Sequence, residues 1–197
     1  GHGHDVQVLP LYTPLRADGP DPSVHRVFFG GINCYLEQRW SLFRHVPRFV
    51  NWLLDRPALL RFACRFGIET RPEELGEMTV SMLEGESGRQ RSELESMLTY
   101  LADDGGPPDA VILSNSLLLG MAPEIKDRLG SLVCCSLQGE ESFVQRLLDP
   151  WCGQALDLIR EHAAGIDAFI SPGEAYCAEM TEFLQVPAER VHLVRTE

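Results

Sequence analysis

The sequence has no initiator Met, no Cys-x-x-Cys pair, no apolar run long enough to span a bilayer and no excess of positive charge. Each lack excludes something. With 29 acidic and 17 basic side chains the net charge is −12, which argues against nucleic acid as the main ligand and leaves only local basic patches for phosphate. Without a spanning run or a signal peptide, the expected location is cytoplasmic. The six cysteines, Cys34, Cys64, Cys134, Cys135, Cys152 and Cys177, are scattered among apolar residues and read as reduced thiols rather than a disulfide framework. His2, His4, His25, His45, His162 and His192 show no ligand spacing, so neither a metal nor a resident cofactor is expected. Gly30-Gly31 lacks the Gly-x-Gly-x-x-Gly or Lys-Ser/Thr context of a phosphate loop, and no Gly-x-Ser-x-Gly elbow occurs.

What the sequence does have is 197 residues with 44% apolar content, enough for one substantial core. Short, nearly continuous apolar runs stand at Val6 to Leu11, Ala110 to Leu113, Leu132 to Ser136 and Ala168 to Ile170, with a further one at Val191 to Val194. Continuous rather than alternating apolarity predicts strands buried on both faces. Helix-period segments separate them, at Ser116 to Leu129, Glu141 to Leu148, Gly153 to Ala164 and Gly173 to Leu184. The expected fold class is therefore α/β, a doubly wound, mostly parallel, Rossmann-like sheet formed by crossover units. Between the first two runs lies a helical insertion of about residues 34–104. It carries helix-spaced apolar residues from Tyr35 to Leu54, a helix opened by Pro57, and two more from Pro72 to about Leu83 and from Gly88 to Leu101. The chain opens in a Gly3-His4-Asp5 turn leading into Val6, which predicts that a first strand and helix lie upstream. That strand's place would be central, beside Ala110 to Leu113.

Several strings resemble the amino-terminal domain of family-four glycosyltransferases, retaining enzymes of the GT-B fold. GHDVQVLPLYTPL resembles the Gly-His-x-Val turn and second strand, and PDAVILSNSLLLG resembles a strand running into a polar cluster and helix. VCCSLQGEESF is similar to the strand followed by a Thr-x-His-Gly-like motif, and DAFISPGEAYCAEM with VPAERVHLV resembles the final strand, Ser-Pro helix start and exit strand. The resemblance spans nearly the whole chain and implies that residues 1–197 form one GT-B amino-terminal-type domain, the acceptor-side half of the enzyme. The carboxy-terminal donor domain is absent from it. The implied parent activity is transfer of a sugar, with retention, from a nucleotide-sugar co-substrate to an acceptor that is a sugar, a lipid or a small metabolite. The fragment alone would then be inactive. Where the family often carries a His-x-His-like pair, this chain has Ile112 and Ser114, and Gln138 stands where the second motif commonly has His.

The candidate substrate-binding residues all follow strand ends. Ser114, Asn115 and Ser116 sit where a strand gives way to a helix, so their oxygens suit helix capping, while the exposed helix start suits a sugar or phosphate. Gln138, Gly139 and Glu140 follow the next strand, with Gln138 and Glu140 expected as ligands of sugar hydroxyls and Glu141 expected as a favourable charge at a helix start. All would face one cleft at one rim of the sheet. Ser171, Pro172 and Glu174 read as a capped helix start. No protein nucleophile is identified, so the catalytic residues stay unassigned. The other reading left open is a glycan- or partner-binding domain of the same fold without turnover. Arg44, Arg48, Arg56, Arg61, Arg65 and Arg71 suit a solvated helical face, and leave peripheral contact with an anionic membrane, at its inner face, open.

Overall fold

The computed structural model describes residues 3–9, 11, 72–103 and 105–195. The expected helices at Tyr35 to Leu54 and after Pro57, the Gly30-Gly31 turn and the six arginines lie outside the described residues. So does the membrane contact that rested on them. Two helices come first, α1 (Pro72–Leu83) and α2 (Arg91–Asp103), joined through a 3-10 turn at Gly85–Ser87. Pro72 opens α1 where a missing N–H costs nothing, and Glu73 and Glu74 in the first turn suit its dipole. Strand β1 (Ala110–Leu113) leads into a 3-10 helix (Ser116–Met121) and then α3 (Ala122–Leu129). Pro123, in the first turn of α3, separates these two pieces of what periodicity presents as one helix. Strand β2 (Leu132–Ser136), a short α4 (Glu140–Val144), α5 (Trp151–Ala163), β3 (Ala168–Ser171), α6 (Glu174–Leu184) and β4 (Val191–Leu193) complete the order.

The four strands form one parallel sheet in the order β1-β2-β3-β4. Sequential order with right-handed crossovers sends every connecting helix to the same face. Burial agrees. Leu113, Val133, Cys135, Phe169 and Val191 point into the core with Ile125, Leu129, Ile159, Ala163, Met180 and Leu184 of the helices. On the opposite face Ile112 is 63% and Leu132 59% exposed. The expectation of strands buried on both faces is thus corrected: among the described residues one face is covered. The cause is that Ile112, Leu132 and Cys134 share one row set of the pleat, and residues at that period fall together whatever their polarity.

Val6 to Leu11 is also corrected. It is not a strand of this sheet among the described residues, which give it a single bridge at Val8. Val6 and Val8 are 76% and 50% exposed, whereas Leu9 and Leu11 pack on the core and Gln7 Nε2 donates to the Tyr100 hydroxyl at 3.1 Å. A run so close to prolines, Pro10 and Pro14, has fewer donors with which to join a ladder. Among the described residues β1 is an edge strand. Cys134, Cys135, Cys152 and Cys177 are free thiols, and no described helix is long and apolar enough to cross a membrane.

At the amino end of β2 an ion pair ties the sheet to α3. The Asp167 carboxylate accepts the Val133 N–H at 2.7 Å and lies 2.8 Å from Lys126 Nζ. Partial burial pushes the Asp167 pKa up, but the Lys126 ammonium and the Val133 N–H outweigh it and hold the group below the ordinary Asp value. A depressed carboxylate contributes stability that is present above its unfolded pKa of about 3.9 and is lost as pH falls through the lower folded value. Urea midpoints measured from pH 6 to pH 2.5 should therefore fall less steeply for Asp167→Asn than for the wild type below about pH 4. Parallel curves would show that the pair adds nothing.

Candidate functional site: a cleft at the carboxyl ends of the strands

Parallel sheets present their strand-end loops at one rim, and here those loops are locked by a few buried polar contacts. Gly139, at φ 92°, takes a left-handed conformation that lets the chain turn sharply out of β2 into α4. The turn brings Glu140 inward, 6% exposed. Its Oε1 accepts the Ser116 N–H at 2.7 Å and its Oε2 accepts the Gln138 N–H at 2.5 Å. One carboxylate thus clasps the loop after β1 to the loop after β2. From the other side the Tyr176 hydroxyl accepts the Gly139 N–H at 2.8 Å and donates to Glu141 Oε2 at 2.6 Å. Burial pushes the Glu141 pKa up, but the donated hydrogen bonds of Tyr176 and Ser142 prevail and hold it below the usual carboxylate range. The same burial and the carboxylate partner push the Tyr176 phenol upward, so it stays a protonated donor.

In front of this clasp lies a half-open cleft of about 510 Å³ lined by Ser136, Leu137, Gln138, Gly139, Ile170, Pro172, Tyr176 and Val194. That volume suits a small organic ligand. Of the residues expected from the sequence, Gln138 and Gly139 line the cleft. Gln138 is exposed and presents an amide with two donors and an acceptor. Ser114, Asn115, Ser116 and Glu140 do not line it. Ser114 is exposed and its hydroxyl lies 3.4 Å from Asn115 Nδ2, while Asn115 Oδ1 caps the 3-10 helix by accepting the Leu117 N–H at 3.1 Å. Ser116 is wholly buried, and its hydroxyl has no hydrogen-bond partner among the described residues. Both oxygens of Glu140 accept backbone N–H groups, which leaves it a clasp rather than a hand held out to ligand.

The helix start after β3 differs from expectation as well. Gly173, not Ser171, is the residue before α6, and the buried Ser171 hydroxyl donates to the Gly173 carbonyl at 3.0 Å instead of capping the helix. This hydrogen bond fixes the Ser171-Pro172-Gly173 turn that forms one wall. The lining residues that sequence reasoning passed over are Ser136, Leu137, Ile170, Pro172, Tyr176 and Val194. Tyr176 carried no local signal, since its partners Gly139 and Glu141 lie 37 and 35 positions away. Among the described residues no group of three or more His, Cys, Asp or Glu could hold a metal ion. Compared with protein-family models, with curated proteins and with solved structures, the chain matches none.

Proposed function

We propose that this chain is the acceptor-side domain of a retaining, GT-B-type glycosyltransferase, and that the cleft beyond β2, β3 and β4 is where it holds the acceptor. The observation that carries this reading is the locked loop. Glu140 and Tyr176 hold the Gln138 and Gly139 N–H groups of the loop after β2, and Gln138 and Ser136 are among the residues lining a cleft large enough for a sugar. A pre-set amide and hydroxyl suit sugar hydroxyls, which both donate and accept. The chemistry asked of such a half is positioning: it would bring an acceptor hydroxyl against a nucleotide sugar held elsewhere, with charge on the leaving phosphate stabilised by groups outside the cleft.

Titrating the chain with acceptor glycosides tests this directly. Gln138→Ala should weaken binding about three- to tenfold, the worth of one or two neutral hydrogen bonds, while leaving the thermal transition in place. Unchanged affinity would remove Gln138 from the site. A second reading, a glycan-binding domain without turnover, is favoured by one observation: among the described residues that line the cleft none titrates near neutral pH, and Gln138 occupies the position where the resemblance implies imidazole. Release of free nucleotide from a donor in the presence of acceptor separates the two, since a binding-only domain would leave the donor intact.

A further inference from the structure

Gln138 stands between two ties that hold the loop after β2 to the β3 side of the cleft. On one side the Leu137 N–H is donated to the Ile170 carbonyl at 2.9 Å, and on the other the Gly139 N–H is donated to the Tyr176 hydroxyl at 2.8 Å. The first tie needs no side chain. The second depends on one oxygen, and that oxygen has a fixed place in the network. A carboxylate only accepts and an N–H only donates, so the phenol proton goes to Glu141 Oε2 at 2.6 Å and a lone pair meets Gly139. The support of the phenol is fixed as well. Tyr176 stands in the first turn of α6, just after the turn that the Ser171 hydroxyl locks by donating to the Gly173 carbonyl at 3.0 Å.

Tyr176 differs from Glu140, the other residue that holds this loop, in two ways. It is itself among the residues lining the cleft, and its bond to Gly139 is exposed, whereas the bond from Ser116 to Glu140 is buried. Water can replace an exposed acceptor at little cost in stability, but a mobile water does not fix the direction of a peptide. Glu141 is also provided for, since without the phenol it keeps the Ser142 hydroxyl at 3.2 Å and backbone N–H donors of its own turn. Gly139, at φ 92°, has no Cβ to confine it once the tie is gone. A ligand that must first order such a loop binds more weakly than one that meets it pre-set. Resting on the sugar-binding reading above, we infer that the Tyr176 hydroxyl is a positioning group of the site: through Gly139 it sets Gln138 for the sugar, and it governs affinity more than stability.

Tyr176→Phe keeps the ring and removes the one oxygen. In calorimetric titrations of the intact chain with phenyl glycosides of glucose, galactose and mannose, the variant should bind the tightest of them about three- to tenfold more weakly than the wild type. Its Tm should fall by no more than about 4 °C. A double-mutant cycle gives the readout that a merely structural role would not move. Because the hydroxyl acts through Gln138, Tyr176→Phe combined with Gln138→Ala should bind within about twofold of Gln138→Ala alone. Losses that multiply in the double variant would overturn the inference, as would wild-type affinity in Tyr176→Phe or a much larger fall in its Tm. Each of these results leaves the sugar-binding reading standing. If no glycoside binds the wild type, reading and inference fall together.

Discussion

Gly120→Ala should cost the fold about 3 kcal/mol or more, seen as a fall of roughly 6–12 °C in Tm. The 3-10 helix after β1 crosses the end of α1 backbone against backbone. A Cβ on Gly120 would stand 2.4 Å from the Leu83 carbonyl oxygen and 2.6 Å from that of Met82. These are main-chain atoms of a helix end, not the tips of flexible side chains, so relief requires the two elements to separate. His162 Nε2, 2.8 Å from the same Leu83 oxygen, ties that end of α1 to α5 as well, and a shift there would disturb three elements. Gly153→Ala is the matched control. Its Cβ would enter open space on α5, where alanine favours the helix, so its Tm should be unchanged or higher by the equivalent of up to about 1 kcal/mol. Equal effects for the two substitutions would show that the crossing is looser than described.

Glu140→Ala should lose about 2–4 kcal/mol and, with it, ligand binding, although Glu140 does not touch the cleft. Removing the carboxylate leaves the buried Ser116 N–H and the part-buried Gln138 N–H without their acceptor, and a buried group so left costs on the order of 1–3 kcal/mol. Partial access of water to the loop keeps the sum at the lower end. Glu140→Gln keeps one carbonyl acceptor and should retain about half of the lost stability. Urea unfolding gives the energies. Amide hydrogen exchange at Gln138 and Ser116 gives the location, and both amides should exchange faster in the alanine variant than in the wild type. Glu140 is in this sense a positioning residue. It acts through Gln138, so affinity for a phenyl glycoside should fall with loop order and recover in the glutamine variant.

Much of the fold is readable in the chain because local signals and tertiary contacts agree. Pro72 marks the start of α1, and Ala110–Leu113, Leu132–Ser136 and Ala168–Ser171 are short apolar runs set between helix starts and turns. The parts that escaped are those decided by distant partners. Continuous apolarity cannot tell a strand with two covered faces from one with a bare face, since Ile112 and Leu132 are apolar either way. Val6 to Leu11 has strand composition, but membership of a sheet depends on a neighbour that composition does not name.

The position of the strand-end loops was legible, and their internal contacts less so. Residues after β2 do form one wall of a cleft, because parallel strands end at a common rim. Glu140 was expected as a ligand, but a carboxylate beside a turn can face outward to a sugar or inward to the backbone; here it faces inward, and its partner Ser116 lies 24 residues away. Tyr176 reaches Gly139 across 37 positions, which no local pattern encodes.

The central claim is that the cleft beyond β2, β3 and β4 holds a glycoside. Amide chemical-shift mapping of the labelled chain during titration with a phenyl glycoside tests it most directly. The account predicts saturable shifts concentrated at Ser136, Leu137, Gln138, Gly139, Ile170 and Val194, and their loss in Gln138→Ala. Shifts that centre instead on Lys126, Val133 and Asp167 at the amino end of β2, away from the cleft, or no saturable shift with any of the glycosides, would contradict it.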